Sequence, residues 1–398
     1  MNFDRKGLSD EQLINIYKKL LWPRLIEEKM LLLLRQGRIS KWFSGIGQEA
    51  ISVAATMALQ QDEWIMPLHR NLGVFTSRNM PLQKLIKQWQ GAQDGYSKGR
   101  ERSFHFGSKE HYICGMISHL GPQLAIADGV ALAYKINEQS KVSLAFTGDG
   151  GTSEGDFHEA LNVAAVWDLP VIFIIENNGY GLSTPVNDQY RCATLADRAK
   201  GYGMESVVID GNDVLSVYDT VKGVRDYCIN NQKPYLIECM TFRMRGHEEA
   251  SGTKYIPKEL FIEWEKKDPV KNYEKWLVEQ TVLSDVEKEN IRSGQKLEIE
   301  EEIRIGFNSE PIHVSTEDEL RDVYSPPKPS RREGFATALG QLQENSAFKS
   351  DTSTGKISGM VASPIGGGRE GAAVRFIDAI KEGLYQSMQQ HPNLVLMG

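Results

Sequence analysis

A chain of 398 residues is too long for one ordinary core and has room for two or three. Its 40% hydrophobic and 25% charged residues are a globular balance, and a net charge of −7 argues against a general nucleic-acid surface. Four cysteines without CxxC or zinc spacing, and a polar opening MNFDRKGLSDEQ, point to free thiols in a reducing cytoplasm and to no signal peptide.

In chain order, Ser9 with Gln12 three residues on predicts a helix start, and the helix should run to about Gln36 and end at Gly37. Pro23 is expected to kink or divide it. Residues 31–34, four leucines between charges, are too short to span a membrane. Gly47 precedes a second helix. In WIMPLHRNLG (64–73), Arg70 follows a short apolar stretch and precedes another helix, and Pro81 opens the next. A guanidinium at that junction suits a diphosphate, although a surface arginine is the better reading of that residue alone. Residues 98–123 are polar and glycine-rich and carry His105, His111 and His119. Those spacings do not fit a short helical metal motif, so a loop lining a polar pocket is expected. A helix of small residues (124–134) follows, suited to close packing against another helix or subunit.

KVSLAFT (141–147) has the unbroken apolar character of a buried parallel strand. The chain turns through Gly148, Asp149, Gly150 and Gly151 into an amphipathic helix, with Ala160, Leu161, Ala164, Ala165 and Trp167 on its apolar side. Ser153 followed by Asp156 resembles a capping box. Pro170 closes the connection, and residues 171–175 form a second buried strand, so a right-handed strand–helix–strand crossover is expected. Asp149 and Asn178, 29 residues apart, then reach the same end of the sheet, where ligands bind. A carboxylate and an amide oxygen there suit magnesium or calcium, while glycines and a helix N-terminus suit an anion. The residues alone thus give a metal-bridged phosphate or diphosphate site; the competing reading is an acidic turn followed by an asparagine-rich one.

Beyond it, SVVIDG reads as a strand, VLSVYDTVKGVRDYCINN as a helix and PYLIECMTF as a strand, the alternation of an α/β doubly wound, mostly parallel sheet with helices on both faces. His247 lies past the last strand end with Arg243 and Arg245, on the ligand side, unless it is an exposed histidine in a charged loop. Residues 257–323 read as peripheral charged helices. The expected organisation is a domain over 1–324, a Pro/Ser/Gly-rich linker over 325–371, and the truncated start of a second domain over 372–398.

Together GQEA, HRNLG, KGRERSFHFGSKEH…MISHLGPQ, GDGGTSEGDFHEALN, ENNGYGLST and MTFRMRGHEEASG resemble the alpha subunit of the thiamine diphosphate-dependent 2-oxo acid dehydrogenases, over roughly residues 10–325. GSKEH…IS is most similar to the branched-chain members, and the tail from Phe376 resembles the opening of the family's beta subunit. The resemblance implies a fused alpha–beta polypeptide cut just inside its second half, with a three-layer thiamine diphosphate-binding fold. It implies oxidative decarboxylation of a branched-chain 2-oxo acid and transfer of the acyl group to the lipoyl arm of an acyltransferase partner. The alternatives are a pyruvate enzyme and a cofactor-dead assembly scaffold. It further implies thiamine diphosphate and Mg2+ as cofactors, a beta-subunit-like partner half, an alpha2-beta2-like oligomer, a cytoplasmic setting, and neither nucleic acid nor membrane as partner.

By the same resemblance, Asp149, Asn178 and the Tyr180 carbonyl bind magnesium, and Arg70 and His247 contact the diphosphate beside Gly148, Gly150 and Gly151. Ser118 and Leu120 cradle the aminopyrimidine side. His105 and Phe43 line the substrate pocket, and His105 and His247 are the proton-carrying catalytic groups. Three positions depart from the family pattern. Residue 69 is His where Tyr is usual. Residue 176 is Glu where branched-chain members can carry a diphosphate-binding Arg. Residue 248 is Glu where mitochondrial members carry a phosphorylatable Ser, so kinase control there is not expected. The family's activating glutamate lies in the beta half, so the chain alone is expected not to turn over substrate.

Overall fold

The computed structural model describes residues 1–324 apart from residues 2, 102, 119, 310, 311 and 314. The expected linker (325–371), the expected second-domain start (372–398) and His119 lie outside the described residues. The fold described is that of the compact unit Met1–Leu320; residues from Arg321 on belong to a second unit.

The chain opens with α1 (Asp10–Arg35), capped by the predicted box: Ser9 Oγ accepts from the Gln12 N–H, and the Gln12 side chain accepts from the Ser9 N–H. Gly37, at φ 70°, takes the left-handed position that ends it. Pro23 is buried inside the helix and does not divide it. It removes the N–H that would bond the Lys19 carbonyl; one residue earlier, the Lys18 carbonyl accepts from Gln295 Nε2 at 3.0 Å.

Then come α2 (Glu49–Ala58), β1 (Ile65–Met66), α3 (Leu72–Ser77), α4 (Leu82–Gln90) and α5 (Pro122–Ile136). The crossover is β2 (Ser143–Gly148), α6 (Gly155–Val166) and β3 (Val171–Asn177). A short hairpin follows, β4 (Tyr180–Gly181) and β5 (Thr184–Pro185), then α7 (Ala199–Tyr202), β6 (Glu205–Asp210), α8 (Val214–Asn231) and β7 (Tyr235–Met240). The remainder is α9 (Lys258–Glu265), α10 (Pro269–Glu279), α11 (Asp285–Gly306) and α12 (Thr316–Tyr324).

The five main strands are all parallel, in the order β1-β2-β3-β7-β6. Side-chain alternation along each strand divides the core into two layers. Leu144, Phe146, Ile172, Ile174 and Ile237 face one layer with α1, α2 and α8, while Ala145, Val171, Phe173, Ile175 and Leu236 face the other with α5 and α6. Each Val, Leu, Ile or Phe among them contributes roughly 1.5–3 kcal/mol of burial, which is why the central strands β2 and β3 carry long apolar runs.

Two local expectations are corrected. The Ser153–Asp156 capping box does not form: a 3-10 turn consumes residues up to Ser153, and α6 starts at Gly155 behind Glu154 with no side-chain cap. Trp167 is not on the buried side. It ends α6 and is 40% exposed, and Phe157, Ala160, Leu161 and Ala164 supply the packed face. The charged C-terminal helices do pack peripherally, with Tyr273, Leu277, Ile299 and Ile303 of α10 and α11 buried in the layer that includes α1.

Candidate active site

The parallel register pairs Gly148 with Glu176, so β2 and β3 end level and release Asp149 and Asn178 at the same edge. Asp149 is 1% exposed, and burial pushes its carboxyl up to about 6, still mostly ionised at pH 7. Gln189 Nε2 lies 3.4 Å from its Oδ2. The Asn178 Oδ1 accepts from the Tyr180 N–H at 3.3 Å, which folds the chain back so that Tyr180 lines the same cavity. Two glycines are sterically required here. A Cβ on Gly150 would stand 2.9 Å from Gly181 Cα, and one on Gly151 would stand 2.4 Å from Thr147 Oγ1. Gly148 meets no such limit.

The loop before α5 forms a second side. His105 Nε2 and Ser118 Oγ are hydrogen-bonded at 2.6 Å. Leu120 holds φ 63°, the left-handed region unfavourable for a leucine, and is fixed there by Thr147 Oγ1 donating to its carbonyl at 3.1 Å. His111 is hydrogen-bonded to Ser108 Oγ and does not line the cavity.

The third side is cationic. Arg70 is buried; its Nη1 donates to the Ser44 carbonyl at 3.2 Å, and its Nη2 donates to the His247 carbonyl and to His247 Nδ1. Burial, aided by Arg243, lowers the Arg70 guanidinium to about 9, so it stays charged at pH 7. Because His247 Nδ1 accepts, the neutral ring carries its proton on Nε2. Burial, then Arg70, Arg243 and Lys41, lowers His247 to about 4, so the ring is neutral at pH 7. Phe43 packs edge-on against His69 and His247, with centroids at 4.9 and 5.7 Å.

These residues line one cavity of about 790 Å³, which includes every predicted site residue. Several of its other residues were not singled out in the sequence as site groups. Arg243 is buried, and its Nη2 donates to the Leu182 carbonyl at 2.8 Å and to Tyr255 Oη at 2.6 Å. That pins the hairpin carrying Tyr180 to the loop carrying His247. The MTFRMRGH motif holds two arginines, and nothing in its spacing says which one turns inward. Glu176 is buried and accepts from Asn71 Nδ2 at 2.6 Å and Gln48 Nε2 at 3.2 Å. Burial raises it to about 7. Where the resemblance allows an arginine, this chain has a carboxyl that clamps the segments bearing Gln48 and Arg70 to β3. Met116 and Gln189 also line the cavity without a sequence signal. Glu248, at the departed serine position, pairs with Lys41 at 3.5 Å.

The donors at the strand ends are one carboxylate, one amide oxygen and one carbonyl, a set that suits a hard cation completing its shell with phosphate and water. Among the described residues, no three or more His, Cys, Asp or Glu side chains converge as a metal cage.

Fold and cavity together define a doubly wound α/β protein with a deep cleft at its strand ends, acidic and amide oxygens on one side and guanidinium and imidazole groups on another. The sequence matches the dehydrogenase E1 component family model over residues 17–314. It is 34% identical over 328 residues to the 2-oxoisovalerate dehydrogenase subunit alpha 2, mitochondrial, of Arabidopsis thaliana, covering 82% of this chain and 69% of that protein. It is 37% identical over 282 residues to the 2-oxoisovalerate dehydrogenase subunit alpha of Bacillus subtilis, covering 70% and 86%. It is 32% identical over 311 residues to the pyruvate dehydrogenase E1 component subunit alpha of Staphylococcus aureus, covering 78% and 82%. The chain belongs to the dehydrogenase E1 component family and is an oxidoreductase chain of that type.

Proposed function

We propose that the chain is the alpha-type portion of a 2-oxo acid dehydrogenase acting on a branched-chain substrate of the 3-methyl-2-oxobutanoate type. The acyl group would pass to the lipoyl arm of an acyltransferase partner. The carrying observation is that Asp149, Asn178 and Tyr180 share one cavity with Arg70 and His247. In this reading Asp149, Asn178 and the Tyr180 carbonyl hold Mg2+, and Arg70 and the His247 Nε2–H contact the diphosphate of thiamine diphosphate. The turn at Gly148, Gly150 and Gly151 leaves the anion room, and Leu120 with Ser118 supports the ring. When bound, that cofactor supplies the nucleophilic carbon and the electron sink that decarboxylation needs. Phe43 and Met116 supply apolar lining on the substrate side, and His105, hydrogen-bonded to Ser118, faces the substrate as its acid–base group.

A beta-type half, in an alpha2-beta2-like assembly, would complete the site. The four cysteines are unpaired, which supports a cytoplasmic setting. No helix among the described residues is long and apolar enough to cross a membrane. The Arabidopsis and Bacillus relatives favour the branched-chain substrate; the Staphylococcus relative keeps pyruvate as the second reading.

The test is the ratio of activity on 3-methyl-2-oxobutanoate to activity on pyruvate, with the chain reunited with its beta-type half. Preference for the branched substrate by about tenfold or more, roughly 1.4 kcal/mol, is expected. A strong pyruvate preference defeats the substrate assignment. The 398-residue chain alone should give no steady decarboxylation with an artificial electron acceptor; turnover there would refute the need for the other half. A cofactor-dead scaffold would show no thiamine diphosphate binding for Asp149→Ala to weaken, whereas equal binding by wild type and Asp149→Ala would refute the metal assignment.

A further inference from the structure

His69 stands on the segment between β1 and α3, next to Arg70, and lines the cavity. It is 8% exposed, and its buried Nε2 has no hydrogen-bond partner among the described residues. An imidazole nitrogen left unpaired at that depth is unfavourable, so the position calls for a ligand group. Its ring packs between Phe43 and His247, with centroids at 4.9 and 5.4 Å. His247 differs in one respect: its Nδ1 already accepts from Arg70 Nη2 at 3.0 Å, so a second proton on that ring would face a guanidinium.

We propose that His69 is the proton-accepting contact of the cationic side, taking one proton from solvent onto its free ring nitrogen when a diphosphate enters the cavity. Affinity for the anion then rises as pH falls. This rests on the diphosphate reading of the site.

The charges around the ring explain the coupling. Burial opposes a cation at His69 most, the Arg70 and Arg243 guanidiniums add to it, and a proton on His247 or His105 would add more, so the free ring lies well below its ordinary 6.5 and is neutral at pH 7. Lys41, beyond Phe43, adds positive charge to the same side. The acidic residues of the cavity, Asp149, Glu154, Glu176 and Asp188, come from other segments; Glu176 is engaged by Asn71 and Gln48, and the proposed cation takes Asp149. An entering diphosphate brings several negative charges against an unpaired ring nitrogen, which reverses the balance. No bond is made or broken other than N–H. A glutamine or tyrosine at this position keeps a hydrogen-bond donor without titrating near neutrality, so the effect belongs to histidine.

The experiment is calorimetry of inorganic diphosphate with Mg2+ on the full chain, between about pH 6 and about pH 8, in two buffers of different ionisation enthalpy. Wild type is compared with His69→Gln and His69→Tyr. Wild type should take up on the order of one half to one proton more than either variant near pH 7, and its affinity relative to theirs should climb by up to about tenfold per pH unit of acidification. Equal proton numbers in all three proteins overturn the inference while leaving the site intact. No diphosphate binding by wild type at any pH overturns the site reading beneath it. Should both variants misfold, the imidazole nitrogen shifts of His69 in wild type decide, since they must report protonation when diphosphate is added and not before.

Discussion

The crossover side of the cavity, from Gly148 to Tyr180, and the cationic side, made by Phe43, His69, Arg70, Arg243 and His247, line one space and are held there by different means. The first is local. Two strands in register, joined by one helix, deliver Asp149 and Asn178 to the same edge whatever surrounds them. The second is a meeting of distant segments. Arg70 bonds Ser44 across 26 residues and His247 across 177, and Glu176 gathers Gln48 across 128 and Asn71 across 105. The metal-type donors therefore need only the backbone to be formed, whereas the anion donors need three loops docked at once. Damage on the two sides should differ in kind.

Asp149→Ala should have the largest effect, weakening thiamine diphosphate binding by more than about 100-fold in Mg2+, roughly 2.7 kcal/mol or more, with the fold retained. Calorimetry with and without the cation checks it, because the loss must vanish when Mg2+ is withheld. A loss that persists without metal would erase the distinction between the sides. Arg70→Lys comes next, at about 10–100-fold, since a point charge cannot replace a fork that spans Ser44, His247 and the anion. Its deficit should be equal with and without Mg2+.

Arg243→Met should cost about 3–10-fold in the same titration, with faster amide exchange at residues 180–185, because it releases the hairpin from the His247 loop without removing a proposed ligand contact. Unchanged exchange would mean the hairpin is held by something else.

Asp128, on α5 away from the cavity, supplies the contrast in which binding should not move. Neither carboxylate oxygen has a partner among the described residues, and burial raises the group to about 8. The folded state then holds its proton more tightly than the unfolded chain, whose value is the ordinary 3.8. The stability this confers is whole below that value and is lost as pH rises toward about 8. Asp128→Val should raise the melting temperature by a few degrees near pH 8, on the order of 1–3 kcal/mol, and by less near pH 5. A uniform shift across pH would show that packing and not titration sets the difference.

The same asymmetry holds for what the amino-acid pattern makes legible. Residues 141–178 were legible because strand, turn, helix and strand each carry their own pattern, and a parallel crossover leaves little freedom in where its ends fall. The Ser9 cap and Gly37 were legible for the same local reason. Ser153–Asp156 misled because the capping pattern is indifferent to a 3-10 turn that uses the residues first, and Trp167 because a helical stripe does not say where the helix ends.

By its own patterns the sequence determined the layered α/β fold, the metal-type donors at the strand ends and the loop that walls the cavity. Only the tertiary structure decided that Arg243 turns inward, that Glu176 serves as a clamp where an arginine is allowed, and that the buried Nε2 of His69 stays unpaired while the Nδ1 of His247 is taken by Arg70. The physical reason is range: backbone hydrogen bonds and side-chain alternation act over a few residues, whereas the partner of a buried charge is chosen by segments up to 177 residues apart.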